Sequence, residues 1–238
     1  MDYTQPGLSV PGDADDIRPT GSDIDPDPRS DPHSSDIDLA DWRERIVRLY
    51  LSDLDLAGFR AARDEMFATH PQSPIPPARR ADFTGLSYFP ANPEAVVEAP
   101  LTPADGGIEI DTGGPDGVVR YRRVAVAGTP WGPLTLWWIE AYGGGLFLPF
   151  RDGTSAADSY GGGRYLTDTV KGTFGRGLVV LAPDRVRLDF NYAYNPSCAY
   201  DDRWACPLAP EENRVTGRIP AGERVWHPAE AVSSRLTG

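Results

Sequence analysis

Apolar positions along this chain follow two different periods, and the change between them divides the sequence. From residue 39 to about residue 69 they recur every three or four positions: Leu39, Trp42, Ile46 and Leu49 form one stripe, and Leu56, Phe59, Met66 and Phe67 a second. That is the spacing of helix faces turned toward a core. Residues 52–55 interrupt the two stripes, and Asp38 or Asp41 is placed to cap the first helix. The charges of Trp42-Arg43-Glu44-Arg45 fall off the stripe, as on a solvated face. The run His70-Pro71-Gln72-Ser73-Pro74-Ile75-Pro76-Pro77 then ends any helix, because proline lacks the amide donor and restrains the residue before it. A further short helical turn over 78–83 is stopped by Gly85.

From residue 95 onward the period shortens toward two, in short runs separated by glycine and proline. Strands are predicted at 95–100, 108–112, 118–127, 134–142, 146–151, 164–168, 177–181, 185–192 and 213–219. No helix of 10–15 residues intervenes, which argues against βαβ units and for an antiparallel β-barrel or sandwich preceded by two N-terminal helices. In 185–192, Val186, Leu188, Phe190 and Tyr192 share one face and Arg187, Asp189 and Asn191 the other. The 134–140 run is apolar on both sides, Leu134, Leu136 and Trp138 opposing Trp137 and Ile139. It must therefore be covered twice, with the N-terminal helices as the expected second cover.

Charge changes the picture at the front of the chain. Residues 1–38 hold ten aspartates against Arg18 and Arg29, six prolines and one aromatic residue, Tyr3; they carry −8 of a net −12. Such a segment buries too little apolar surface to offset its ordering entropy and reads as a disordered acidic tail. The organisation predicted is this tail over 1–38, a helical segment and proline-rich connector over 39–77, a β-rich domain over 78–226 and a flexible tail over 227–238. The acidic balance argues against nucleic-acid or anionic-membrane partners, which need a basic face. The N-terminus has neither the basic and apolar regions of a secretory signal nor an arginine-rich transit pattern, so a cytoplasmic location is expected. The one long weakly charged stretch, 124–150, is broken by Pro130, Gly132, Pro133 and Gly143-Gly144-Gly145 and reads as a buried hairpin rather than a membrane span.

Candidate chemistry is sparse. Tyr142-Gly143-Gly144-Gly145 and Tyr160-Gly161-Gly162-Gly163 echo each other, but phosphate-binding glycine loops require a following helix and a suitable lysine. A tight turn or bulge needing positive φ is the expected role, with Arg164 beside the second triplet able to fork onto a carboxylate or phosphate. Cys198 and Cys206 are the two thiols, spaced C-x7-C, and the three histidines lie far from them in sequence. A structural zinc is not expected, no cofactor is implied, and two packed thiols are the default. Around them Asp189, Asn191, Asn195, Tyr200 and Asp201-Asp202-Arg203-Trp204 form a dense polar stretch of the kind that lines polar-ligand pockets.

Two blocks of this sequence resemble a bacterial family catalogued as domain of unknown function 1684. The first is Phe150-Arg151-Asp152-Gly153-Thr154-Ser155 with Tyr160-Gly161-Gly162-Gly163-Arg164-Tyr165-Leu166. The second runs Leu188-Asp189-Phe190-Asn191-Tyr192-Ala193-Tyr194-Asn195-Pro196-Ser197-Cys198-Ala199-Tyr200, then Cys206-Pro207-Leu208-Ala209-Pro210-Glu211-Glu212-Asn213. Ala221-Gly222-Glu223 resembles the family's closing element. The resemblance spans about 59–225, matches the shorter members, and implies no activity, substrate or cofactor. The leading functional expectation is a β-rich module holding a small polar or anionic ligand, lined by Asp152, Tyr160, Arg164, Asp189, Asn191 and Asn195. The alternatives are a hydrolase using carboxylates such as Asp152, Asp189 and Glu140, or Cys198, and a protein-interaction domain with Trp204 and Tyr200 as exposed anchors.

Overall fold

The computed structural model of the chain describes residues 32–111, 117–204 and 206–226; the predicted tails therefore fall largely outside the described residues, over 1–31 and 227–238. Helix α1 (Pro32–Tyr50) and helix α2 (Leu56–Thr69) come first. The break between them is where the sequence places it, and Asp55 caps α2 by accepting from Gly58 N at 2.7 Å. Helix α1 begins earlier than its apolar stripe, taking up residues 32–38 that charge alone assigns to the tail. Its first turns are tied down from outside, because Gln72 Nε2 donates to Ser35 O at 3.0 Å and Ser35 Oγ at 3.1 Å.

Eight strands follow: β1 (Val96–Pro103), β2 (Gly107–Asp111), β3 (Val118–Thr129), β4 (Gly132–Ile139), β5 (Gly145–Phe150), β6 (Arg164–Asp168), β7 (Leu178–Ala182) and β8 (Arg185–Asp189). They form a single antiparallel sheet in the order β6-β5-β4-β3-β1-β8-β7, with β2 paired to β3 off that path. Strand β1 changes partner along its length, pairing with β8 through Pro100 and with β3 from Leu101. Register shifts in β3 between Arg123 and Ala125, and in β5 between Leu148 and Pro149, bend those strands. Bulges of this kind increase twist and curl a sheet, and the result is a half-barrel. Its first and last strands in the order, β6 and β7, are consecutive in the chain. The chain passes between them so closely that a Cβ on Gly177 would lie 2.2 Å from the Leu166 carbonyl oxygen.

The concave face holds the main core, in which Leu134, Leu136, Leu148, Phe150, Leu166, Val186, Leu188 and Phe190 are buried. Of the two faces of 185–192 the apolar one is therefore buried, and the strand stops at Asp189 and continues as a 3-10 turn over Phe190–Tyr192. Strand β4 is indeed covered on both sides. The second cover, however, is not the helices: Trp137 packs with Tyr121, Phe147, Tyr165 and Tyr194, and its indole Nε1 donates to Asn213 Oδ1 at 3.1 Å. The helices close another flank, Ile46, Leu49, Tyr50 and Phe59 meeting Tyr192, and Phe67 meeting Ile75 and Tyr200.

The ninth predicted strand, 213–219, is not a strand. It is an irregular segment that leaves the 3-10 turn Glu211–Asn213, bridges to Arg151 at Arg214 and bends at 216–217, and its apolar residues Val215 and Ile219 are buried in the main core. Alternation was a true record of burial there, although the ladder was not formed. Both glycine triplets make turns, with positive φ at Gly143, Gly144 and Gly163.

The Gly177 approach gives the first prediction. Gly177→Ala should lower the urea midpoint clearly, because backbone must move to admit the methyl group. Gly128→Ala, whose Cβ would meet Pro100 at an ordinary 3.6 Å, should be nearly neutral. Equal midpoints for the two variants would contradict this close approach.

Candidate functional site

The six residues singled out from the sequence fall into distinct groups. Arg164, the first residue of β6, is fully buried and is bound on several sides. One guanidinium nitrogen donates to Ala221 O and to Glu223 O, the latter at 3.2 Å. The other donates to Asp152 Oδ1 at 3.0 Å, Ile219 O at 3.0 Å and Thr154 Oγ1 at 3.4 Å. Asp152 is equally occupied, since its Oδ2 also accepts from Ile219 N at 2.7 Å and Thr154 N at 3.2 Å. Burial pulls the Arg164 guanidinium below its ordinary value, and the Asp152 charge opposes that pull. The pair fastens the 152–159 loop to the 219–223 segment, and its hydrogen-bonding capacity is largely spent within the protein.

Asp189 and Asn191 form a second group. Asp189 caps the turn that follows β8, its Oδ1 accepting from Asn191 N at 3.0 Å and Asn191 Nδ2 at 2.9 Å. The Asn191 amide in turn pairs with the backbone of Asn92 in both directions, at 2.8 and 2.9 Å. This is how a side-chain amide substitutes for a strand neighbour and fixes a loop. Asp189 also borders an open groove with Arg176, Arg187 and Tyr192 below the α1–α2 break. Arg176 holds that break by donating to the carbonyls of Tyr50, Ser52 and Leu54.

The third group contains Asn195 and two residues that the sequence reading passed over, Arg63 and Glu223. Glu223 is buried and accepts from Arg63 Nε at 2.9 Å, Asn195 N at 2.7 Å and the Tyr200 hydroxyl at 2.6 Å. Arg63 Nη2 adds a 2.7 Å contact. Burial works against the charge on Arg63, and Glu223, with Tyr88, Tyr200 and Tyr50 around it, holds its pKa well above the ordinary value. Burial, reinforced by the Glu223 charge, likewise pushes the Tyr200 phenol well up. Arg63 was visible in principle: it stands midway between Phe59 and Phe67, four residues from each, on the buried face of α2. A charge on an apolar stripe must find an internal partner.

Beside this group lies a cavity of about 60 Å³, lined in part by Ile46, Arg63, Lys171, Tyr194, Asn195 and Ser197. It has room for roughly two to five water-sized groups. Asn195 donates through Nδ2 to Arg224 O at 2.8 Å, while its Oδ1 is buried with no partner among the described residues. Tyr194 OH and Thr173 Oγ1 are paired at 2.7 Å, and Lys171, the chain's one lysine, stays half in solvent and 3.6 Å from Asp168.

Tyr160 belongs to none of these groups. Its hydroxyl contacts Cys198 Sγ at 3.7 Å, and Cys198 N donates to Cys206 Sγ at 3.4 Å. Both thiols are free and half-buried. A hydrogen bond from the Cys198 thiol lowers Cys206 to about 6 against burial, helped by Lys171 and by the amides of Cys198 and Ser197. The same bond and burial push Cys198 up. Of the remaining candidates, Glu140 is an exposed partner of Arg122 at 3.5 Å. Tyr200 is buried against Phe67 rather than exposed as an anchor, and Trp204 is half-buried. Among the described residues no group of three or more His, Cys, Asp or Glu side chains could hold a metal ion, and no helix is long and apolar enough to cross a membrane.

Fold and site together define a helix-flanked antiparallel half-barrel, with a polar buried frame and a small cavity beside it. The chain belongs to the family described as Protein of unknown function (DUF1684), whose model matches residues 81–224. It is similar to an uncharacterized protein of Haloarcula marismortui solved by solution NMR, at 37% identity over 79% of this chain and 97% of that one, with a TM-score of 0.48. No curated protein matches the chain.

The groups separate in a stability experiment. Arg164→Ala leaves the Asp152 carboxylate buried without its counter-charge and should cost about 3–5 kcal/mol in urea unfolding. Asp189→Asn keeps an acceptor at the cap and should cost less than about 1.5 kcal/mol. An unchanged midpoint for Arg164→Ala would refute the frame assigned to it.

Proposed function

We propose that this protein binds a small polar ligand in the cavity between its two helices and the Tyr194–Tyr200 stretch, with Asn195 as the group that meets it. The observation that carries this reading is the unpartnered Oδ1 of Asn195. A buried amide oxygen without a hydrogen bond costs about 1–3 kcal/mol, so the site favours an occupant that donates one, such as a hydroxyl or an amine. Lys171 at the rim adds attraction for a negative group on the same ligand. Arg164, Asp152, Asp189 and Asn191 then serve the site as its supports, and Tyr160 belongs to the neighbouring thiol pair. A cytoplasmic setting, free of nucleic-acid and membrane partners, fits the acidic balance of the chain.

Native mass spectrometry of freshly purified protein tests the reading. The expected result is an excess mass, lost on denaturation, that is absent from a folded Asn195→Leu variant. Where the ligand is lost in purification, a panel of small hydroxy acids and amino acids should shift the Asn195 side-chain amide resonance of the wild-type protein. A bare native mass together with an unmoved resonance across that panel overturns the proposal.

A further inference from the structure

We infer that Cys198 and Cys206 form a redox-active dithiol that exchanges with low-molecular-weight disulfides, Cys206 being the attacking sulfur and Cys198 the one that completes the bridge. In the first step the Cys206 thiolate displaces one sulfur of R–S–S–R, giving a Cys206–S–S–R mixed disulfide and RS⁻. Cys198 then loses its proton and attacks the Cys206 sulfur, forming the Cys198–Cys206 bond and releasing the second RS⁻. In sum, two protein thiols are oxidised to a disulfide and one small disulfide is reduced to two thiols. A reducing thiol pool reverses both steps.

Geometry distinguishes this pair from two packed thiols. The backbone amide of Cys198 points at the Cys206 sulfur at 3.4 Å, at the start of the 3-10 turn Ser197–Ala199. That contact places the two cysteines against one another across the seven residues that separate them in the chain. The Tyr160 hydroxyl contacts the far sulfur, Cys198, at 3.7 Å. Neither thiol is fully buried, and Lys171 supplies positive charge toward Cys206. Donors and a cation gathered around one accessible sulfur, with a second thiol in reach, are the setting in which a cysteine attacks rather than packs. Inert cysteines sit buried among apolar neighbours. Each element has a role: the amides and Lys171 hold the Cys206 thiolate, burial and the Cys206 sulfur keep Cys198 protonated until the mixed disulfide has formed, and the Tyr160 hydroxyl, donating to Cys198, steadies its thiolate when it attacks.

The test uses the full chain, reduced and then exposed at pH 7 to glutathione buffers from fully reduced to fully oxidised, followed by acid quenching and mass spectrometry. The expected product is two hydrogens lighter and yields a Cys198–Cys206 peptide. Cys198→Ser should stop at a mixed disulfide of Cys206 with glutathione, whereas Cys206→Ser should capture glutathione much more slowly. Iodoacetamide at pH 6 should modify Cys206 about ten-fold faster than an ordinary cysteine, after allowing for the weaker nucleophilicity of an acidic thiolate. A chain that remains a dithiol in oxidised glutathione, with no capture by Cys198→Ser, overturns the inference. Faster capture by Cys206→Ser than by Cys198→Ser, or equal slow alkylation of both thiols at pH 6, overturns the assigned roles.

Discussion

The Glu223 carboxylate is the interaction on which the rest of this structure depends. Its two oxygens receive Arg63 from α2, the Asn195 amide from the loop after β8 and the Tyr200 hydroxyl from the turn beyond it. Its own backbone carbonyl accepts from Arg164 of β6, and its amide donates to Ala193 O at 2.9 Å. Three parts of the chain that are distant in sequence, at residues 63, 164 and 193–200, therefore share one buried residue. A buried ion pair adds little net stability over an apolar substitute of the same shape, since desolvation offsets most of the attraction. Position is what it supplies. Apolar side chains can slide past one another at small cost, whereas a carboxylate holding several donors cannot shift without leaving some of them unsatisfied.

The same logic explains why so much of the chain stays ordered outside regular elements. The described residues of 190–226 contain no strand and only short 3-10 turns, and their backbone groups need partners that no ladder provides. Arginines fill that need repeatedly. Arg164 collects the carbonyls of Ile219, Ala221 and Glu223, and Arg176 those at the α1–α2 break. Arg60 donates to Phe89 O at 3.0 Å. A guanidinium presents five donors in a fixed plane, which suits the pinning of several carbonyls at once. Asn213 does the same work inside the second core, taking the carbonyls of Thr135 and Pro149 and accepting from Trp137.

What the sequence made legible follows from this division. Period-two and period-3.6 patterns record burial against a sheet or helix face, so both helices and eight strands stand where the spacing predicts them. They fail where burial is maintained without a ladder, as at Val215 and Ile219, or where a cap ends a strand before its alternation does, as at Asp189. The site was less legible for a physical reason. Arg164, Asp152 and Asn191 look like ligand groups because they are polar and clustered, but a residue that serves a ligand and one that serves a carbonyl are chemically identical. Only the partner distinguishes them. Arg63 could have been identified from its place on the apolar stripe between Phe59 and Phe67. Glu223, standing in a segment without periodic pattern, could not be found in that way, though it closes the stretch that resembles the family.

Placement also relates the frame to the cavity it borders. Asn195 belongs to both: its backbone amide is committed to Glu223 and its Nδ2 to Arg224 O, which leaves Oδ1 as the free acceptor and fixes where it sits. In the proposed reading, a loop residue that meets a ligand would ordinarily lose much of its binding energy to the ordering of its own side chain. Here that ordering is a consequence of folding, imposed by contacts that hold the helices and the half-barrel together. Ser197, two residues on, lines the same cavity and begins the turn that presents the Cys198 amide to Cys206. One short stretch, anchored at Glu223, therefore carries both the unpartnered acceptor and the amide that meets the Cys206 sulfur.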